Sequence, residues 1–208
     1  MIFIKKETAN HITLFLLLSF SMTSHLIAYR LIDVVGLPVI PSSLTYMICF
    51  VIIDIAATFN NRGFLLFIIA LETIANLIML SITNIVTNMP APEILINKGS
   101  YNDVFNPITT IYFANILGSL VAFSLDALIF FHLYNKKKMS FFESSIISSL
   151  IIVTIYTIIT DCFAFKEMYP KNLVSITTVN IFTNLIFISI LTVCAKYFIT
   201  PLQTSKNK

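Results

Sequence analysis

The sequence predicts an all-α integral membrane protein, six transmembrane helices in a single domain covering residues 1–208. Three observations carry this reading. Hydrophobic residues make up 57% of the chain against 11% charged, and the mean hydropathy is +0.90, far from the balance of a water-soluble domain. Apolar runs of about twenty residues, enough to cross about 30 Å of hydrocarbon, recur along the whole chain with short polar connections between them. The alternating segments of about ten residues that mark a membrane barrel are absent, and lipid accepts only a backbone that closes its own hydrogen bonds.

Spans are expected at about residues 11–32, 42–60, 63–86, 108–134, 141–165 and 172–199. The first is too long for a signal-peptide core and no small-residue cleavage site follows it, so it reads as a helix. Between the third and fourth lies the longest connection, about residues 87–107, containing "NMPAPEILINKGSYNDVFNP". Pro90 and Pro92 hold its start extended, and it is long enough to serve as a lid or as a plain connector. Asn106-Pro107 reads as a turn that puts the proline in the first turn of the fourth helix. That helix closes on Lys136, Lys137 and Lys138. Lysines and arginines gather at Lys5, Lys6, Arg62, the Lys136–138 triplet, Lys196, Lys206 and Lys208, which places both the amino and carboxyl termini on the cytoplasmic side.

Composition also excludes several classes of function. Four glycines are too few for Gly-rich phosphate loops. Cys49, Cys162 and Cys194 fall inside spans, where they are expected to act as small buried hydrophobes, and no CxxC or His-rich spacing suggests a metal. No cofactor is indicated. The net charge of +3 reflects topology, and no basic patch with stacking aromatics supports nucleic-acid binding. There is no HExxH, no Gly-x-Gly-Asp and no nucleophile with its base, so the chain does not read as an enzyme.

Four carboxylates fall within the spans: Asp54, Glu72, Asp126 and Asp161. One Asp at a helix centre is unfavourable by about 2.5–3.5 kcal/mol, so all four facing lipid would cost on the order of 10 kcal/mol. They are expected to turn inward around a central polar cavity. Asn115, Ser119, Ala122 and Asp126 share one stripe of the fourth helix, and Thr154, Thr157 and Asp161 one of the fifth. Glu72 and Asn76 align on the third, and Thr177, Asn180 and Asn184 on the sixth. Arg30 is the leading positive partner, with His25 deeper in the first helix. Interhelical hydrogen bonding alone is the competing account of the amides.

These residues resemble a known family, the small six-helix bacterial vitamin-uptake-like or queuosine-precursor transporters. "SSLTYMICFVIID" carries the family's second-helix Asp at Asp54, "PAP" stands at Pro90 to Pro92, "ANILGSLVAFSLD" matches the fourth-helix pattern ending at Asp126, and "TIYTIITDCFAF" supplies the fifth-helix Asp at Asp161. Arg30 stands for the family's Lys and His25 for its Asn. Ala122-Phe123, Thr110, Thr58 and Ile158 replace polar family residues. The resemblance implies a bacterial inner-membrane protein that imports a 7-deazaguanine or a similar small flat heterocycle. An ionised carboxylate could take two adjacent N–H donors of a guanine-like edge. Asp126 is the expected recognition residue, with Asp161 as a second anchor and Tyr46, Phe123 and Tyr156 as stacking candidates. Protons are the expected coupling ion, and the lipid bilayer is the other partner. The alternatives are a substrate-binding membrane subunit of a multi-component vitamin importer and a non-transporting membrane scaffold.

Overall fold

The computed structural model describes residues 6–28, 31–90, 100–166 and 169–206, without the side chains of 100–104, 106–108, 110 and 198–206. Six helices are long and apolar enough to cross a membrane. They are α1 (Lys6–Ile27), α2 (Pro41–Phe59), α3 (Arg62–Thr87), α4 (Ser100–Phe131), α5 (Phe141–Phe165) and α6 (Leu173–Lys206), with a two-stranded hairpin, β1 (Ile32–Val34) and β2 (Leu37–Val39), between α1 and α2. The α5 bounds are those expected; α2 and α3 differ by one residue at each end.

Local chemistry sets several of these ends. Pro41 opens α2, where its missing N–H costs nothing. Asn61 caps α3, its side chain accepting from Phe64 N at 2.9 Å. Ser140 and Glu143 form a reciprocal capping box on α5, with Ser140 N donating to Glu143 Oε2 at 2.9 Å and Glu143 N donating to Ser140 Oγ at 3.3 Å. α4 ends in a π-helical turn over His132–Lys136, and Lys137 N reaches back to His132 O at 3.1 Å.

Three sequence expectations are corrected. The first helix stops at Ile27 rather than near residue 32, because the apolar run that follows folds back as the hairpin, pairing Ile32 with Val39 and Val34 with Leu37. The fourth helix begins at Ser100, so Pro107 sits inside it and not in its first turn. Residues 91–99, which include Pro92 of the expected lid, lie outside the described residues, as does Arg30. Finally, only Cys49 is buried; Cys162 and Cys194 are exposed on faces turned away from the bundle.

The hairpin turn carries a strained residue. Val35 and Gly36 have φ of 56° and 79°, the left-handed pair that a tight two-residue turn needs, and Asp33 Oδ1 accepts from Gly36 N at 2.8 Å. A β-branched residue pays for that conformation in steric contact, while Val35 is 97% exposed and packs on nothing. Val35→Asn is therefore expected to raise stability by about 1 kcal/mol, read as a higher thermal midpoint of the purified protein.

α2 is the central helix, with α1, α4 and α6 packed around it and Tyr46, Met47, Phe50 and Ile53 buried at its core. Large apolar side chains instead face outward on the peripheral helices, among them Phe67, Ile82, Val121, Phe163 and Ile186. An apolar exterior around a polar-lined interior is the arrangement lipid demands.

Candidate functional site

All four membrane carboxylates are buried: Asp54, Glu72 and Asp126 at 0% exposure and Asp161 at 3%. They do not meet in one chamber. They are distributed among three polar clusters, two of them on opposite sides of an aromatic layer.

The layer consists of Tyr46 and Phe50 from α2, Phe123 from α4 and Tyr156 from α5. Tyr46 stacks nearly parallel on Phe123, with ring centroids 5.2 Å apart, and on Tyr156 at 5.5 Å. Phe50 closes the edge, T-shaped on both Phe123 and Tyr156 at 4.8 and 5.9 Å. Ser119 is buried beside this layer, its hydroxyl donating to Ile116 O at 3.0 Å. The three aromatics expected to stack on a substrate therefore stack on one another.

At the hairpin end, a polar pocket of about 20 Å³ lies between the start of α2 and the facing turns of α4, α5 and α6. Asp161 is its acid. Asn180 Nδ2 donates to both of its oxygens, at 3.1 and 3.0 Å, and Asn180 Oδ1 accepts from Ser43 Oγ at 2.6 Å. Asn115, Ser24, Thr160 and the two tyrosines Tyr46 and Tyr156 complete the wall. The volume suits about one water, so the pocket in this conformation is too small for a heterocycle.

Beside it, Glu72 on α3 holds α1 and α2 together. Ser21 Oγ donates to Glu72 Oε1, Asn76 Nδ2 donates to the same oxygen at 2.7 Å and to Ser21 Oγ at 2.8 Å, and the Tyr46 hydroxyl approaches it at 3.4 Å. His25 is buried between the rings of Tyr46 and Tyr112, at 5.8 and 4.7 Å, and neither ring nitrogen has a hydrogen-bond partner among the described residues.

At the opposite end, which carries the Lys136–138 triplet, Asp54 and Asp126 neighbour one another between α2 and α4. Ser145 Oγ donates to Asp54 Oδ2 at 2.5 Å, and Thr192 lies 3.3 Å behind Ser145. Ser148 and Ser149 face Asp126. Ser43 and Asp54 are eleven residues apart on α2, so the two ends are separated by about 16 Å at about 1.5 Å per helical residue.

The structure thus splits the predicted stripe of α4: Asn115 lines the hairpin-end pocket while Asp126 sits beyond the aromatic layer. Ser43, Ser24 and Thr160 were not anticipated as lining residues, and the serines of "SSIISS" on α5 were missed although their spacing puts Ser145, Ser148 and Ser149 on one face.

The family described as "Putative vitamin uptake transporter" matches residues 41–199. The chain belongs to this family. The matched stretch holds Asp54, Glu72, Asp126, Asp161 and Asn180, and leaves α1 with His25 outside it. No curated protein and no solved structure matches the chain. The chain is therefore a multi-pass member of a family described by vitamin uptake.

Proposed function

We propose that the chain imports a 7-deazaguanine queuosine precursor, or a similar small flat heterocycle with adjacent N–H donors, across the bacterial cytoplasmic membrane, and that the hairpin-end pocket is where it binds. The observation that carries this is the state of Asp161. An ionised carboxylate has about four lone-pair sites, and Asn180 takes one on each oxygen. Asn180 thus fills the bidentate position between the two oxygens, the position that two neighbouring N–H groups of a guanine-like edge take when they replace it. Tyr46 and Tyr156 in the same wall offer flat faces to the ring.

With the lysine triplet on the cytoplasmic side, this pocket opens outward, the direction import requires. Admission of a heterocycle needs Tyr46 and Tyr156 to part, since a ring between them requires about 7 Å at van der Waals contact of about 3.5 Å on each side. Release then follows when the aromatic layer opens toward the lysine end, by rocking of helix groups about the midplane. Coupling of this cycle to protons supplies the driving force.

The test is uptake of labelled 7-cyano-7-deazaguanine by bacterial cells that cannot synthesise it. Expression of the chain is expected to confer accumulation; accumulation equal to that of cells carrying an empty vector would retire the substrate assignment.

A further inference from the structure

The cluster at the lysine end takes no part in the proposed substrate pocket, yet it buries two acids completely. Asp54 and Asp126 are 0% exposed and close enough for their carboxyl groups to bond to one another. Asp54 Oδ1 and both oxygens of Asp126 have no other hydrogen-bond partner among the described residues. Asp54 Oδ2 alone is served, by the Ser145 hydroxyl at 2.5 Å.

Two ionised carboxylates about 4 Å apart repel by about 4 kcal/mol at an effective dielectric constant of about 20. One proton removes that repulsion and turns one group into a donor for the other. Ser145 serves Asp54 and Ser148 and Ser149 face Asp126, so each carboxyl group has hydroxyls beside it and the proton is shared by the pair. Direct carboxyl contact accommodates a proton, whereas a metal cation would have to push the two groups apart.

The remaining surroundings fit this assignment. The groups facing the pair are Ser145, Ser148 and Ser149 from α5 and Thr192 beside Ser145 from α6, all hydroxyls. Charged side chains at that end make other contacts: Arg62 lies over the Phe131 ring at 4.9 Å, Lys196 over the Phe142 ring at 5.5 Å, and Glu143 caps α5. Ser144, also buried and one residue from Ser145, lies three residues from the start of α5, about 4.5 Å along the helix. Hydroxyls both accept and donate, and those of Ser144 and Ser149 have no hydrogen-bond partner among the described residues, which leaves them able to pass a proton toward the lysine end by rotating.

We propose that the Asp54–Asp126 pair is the coupling-ion site of the transporter, holding one proton between two carboxyl groups, loading it from the substrate-pocket side when the aromatic layer opens and releasing it past the α5 serines to the opposite side. The assignment rests on the proton-coupled import proposed above, but its first test does not need the substrate. In the infrared spectrum of the purified protein in lipid nanodiscs at neutral pH, a protonated-carboxyl C=O band is expected in the wild type and is lost or shifted in Asp126→Asn. Asp54→Asn, which removes the other carboxyl group of the pair, also removes or shifts that band, and serves as the readout where Asp126→Asn does not fold. A spectrum left unchanged by both variants overturns the proposal.

The second test uses proteoliposomes and labelled 7-cyano-7-deazaguanine. The wild type accumulates the probe under an acid-outside pH gradient, while Asp126→Asn loses accumulation and keeps counterflow exchange. Accumulation by Asp126→Asn, or accumulation in the wild type that follows a sodium gradient and ignores pH, overturns the coupling role. Absence of counterflow in the wild type defeats the substrate reading instead, and the infrared band still decides the pair.

Discussion

Replacing Asp161 by Asn is expected to cut uptake of a 7-deazaguanine by about 100-fold or more, with little change in thermal stability. Hydrogen bonds to a charged group contribute about 1.5–3 kcal/mol each, and about 1.4 kcal/mol is a factor of ten, so the loss of two such bonds sets this scale. The substituted amide also turns a donor toward a donor edge, which adds an unpaired polar group on the substrate. The fold is spared because the new side chain keeps an oxygen for Asn180 Nδ2, which now donates to both Asp161 oxygens at 3.1 and 3.0 Å. Initial uptake rates and a thermal melt of the same preparation separate the two effects. Uptake at the wild-type rate would remove Asp161 from recognition and leave the pocket without its acid.

Gly118→Ala is expected to destabilise the bundle and to lower uptake with it. A Cβ at Gly118 would stand 2.5 Å from Thr160 Cγ2 and 3.3 Å from the Tyr156 ring, so a neighbour must move. Thr160 cannot simply rotate its methyl away, because its hydroxyl is bonded to Tyr156 O at 2.8 Å. Overpacking of this kind costs about 1–3 kcal/mol, against about 1 kcal/mol gained by replacing a helical glycine, so the steric term wins across most of its range. Small residues allow this close approach of helices in lipid, where packing itself drives association. Thr160 and Tyr156 also line the pocket, so their displacement reaches the substrate. Thr160→Ser deletes the offending methyl and keeps the hydroxyl, and the Gly118→Ala/Thr160→Ser pair is expected to melt close to the wild type. A double variant as unstable as Gly118→Ala alone would locate the strain elsewhere.

Much of the fold was legible because lipid reduces the problem to hydropathy and length. Helices α2, α3 and α5 begin and end where polar or capping residues interrupt apolar runs, and Ser140 with Glu143 marks the start of α5 in the sequence itself. The hairpin was not legible, since "LIDVVGLPVI" is almost as apolar as a helix tail and its turn is Val-Gly, lacking the Asn-Gly that announces such turns. Burial of the acids followed from solvation energy. Their grouping did not, because period alone places Asn115 and Asp126 on one stripe of α4 and says nothing of the rings of Tyr46, Phe123 and Tyr156 that come between them. That Asp126 meets Asp54, and Asp161 meets Asn180, depends on how helices are set against each other along the membrane normal.

The aromatic layer has a further consequence for the cell that houses the protein. Proton hopping needs an unbroken file of waters or hydroxyls, and rings packed with centroids 4.8–5.9 Å apart interrupt any such file. For the proton-coupled import proposed above, this packed layer would make the resting protein an insulator, sitting in an energised membrane without short-circuiting the gradient it draws on.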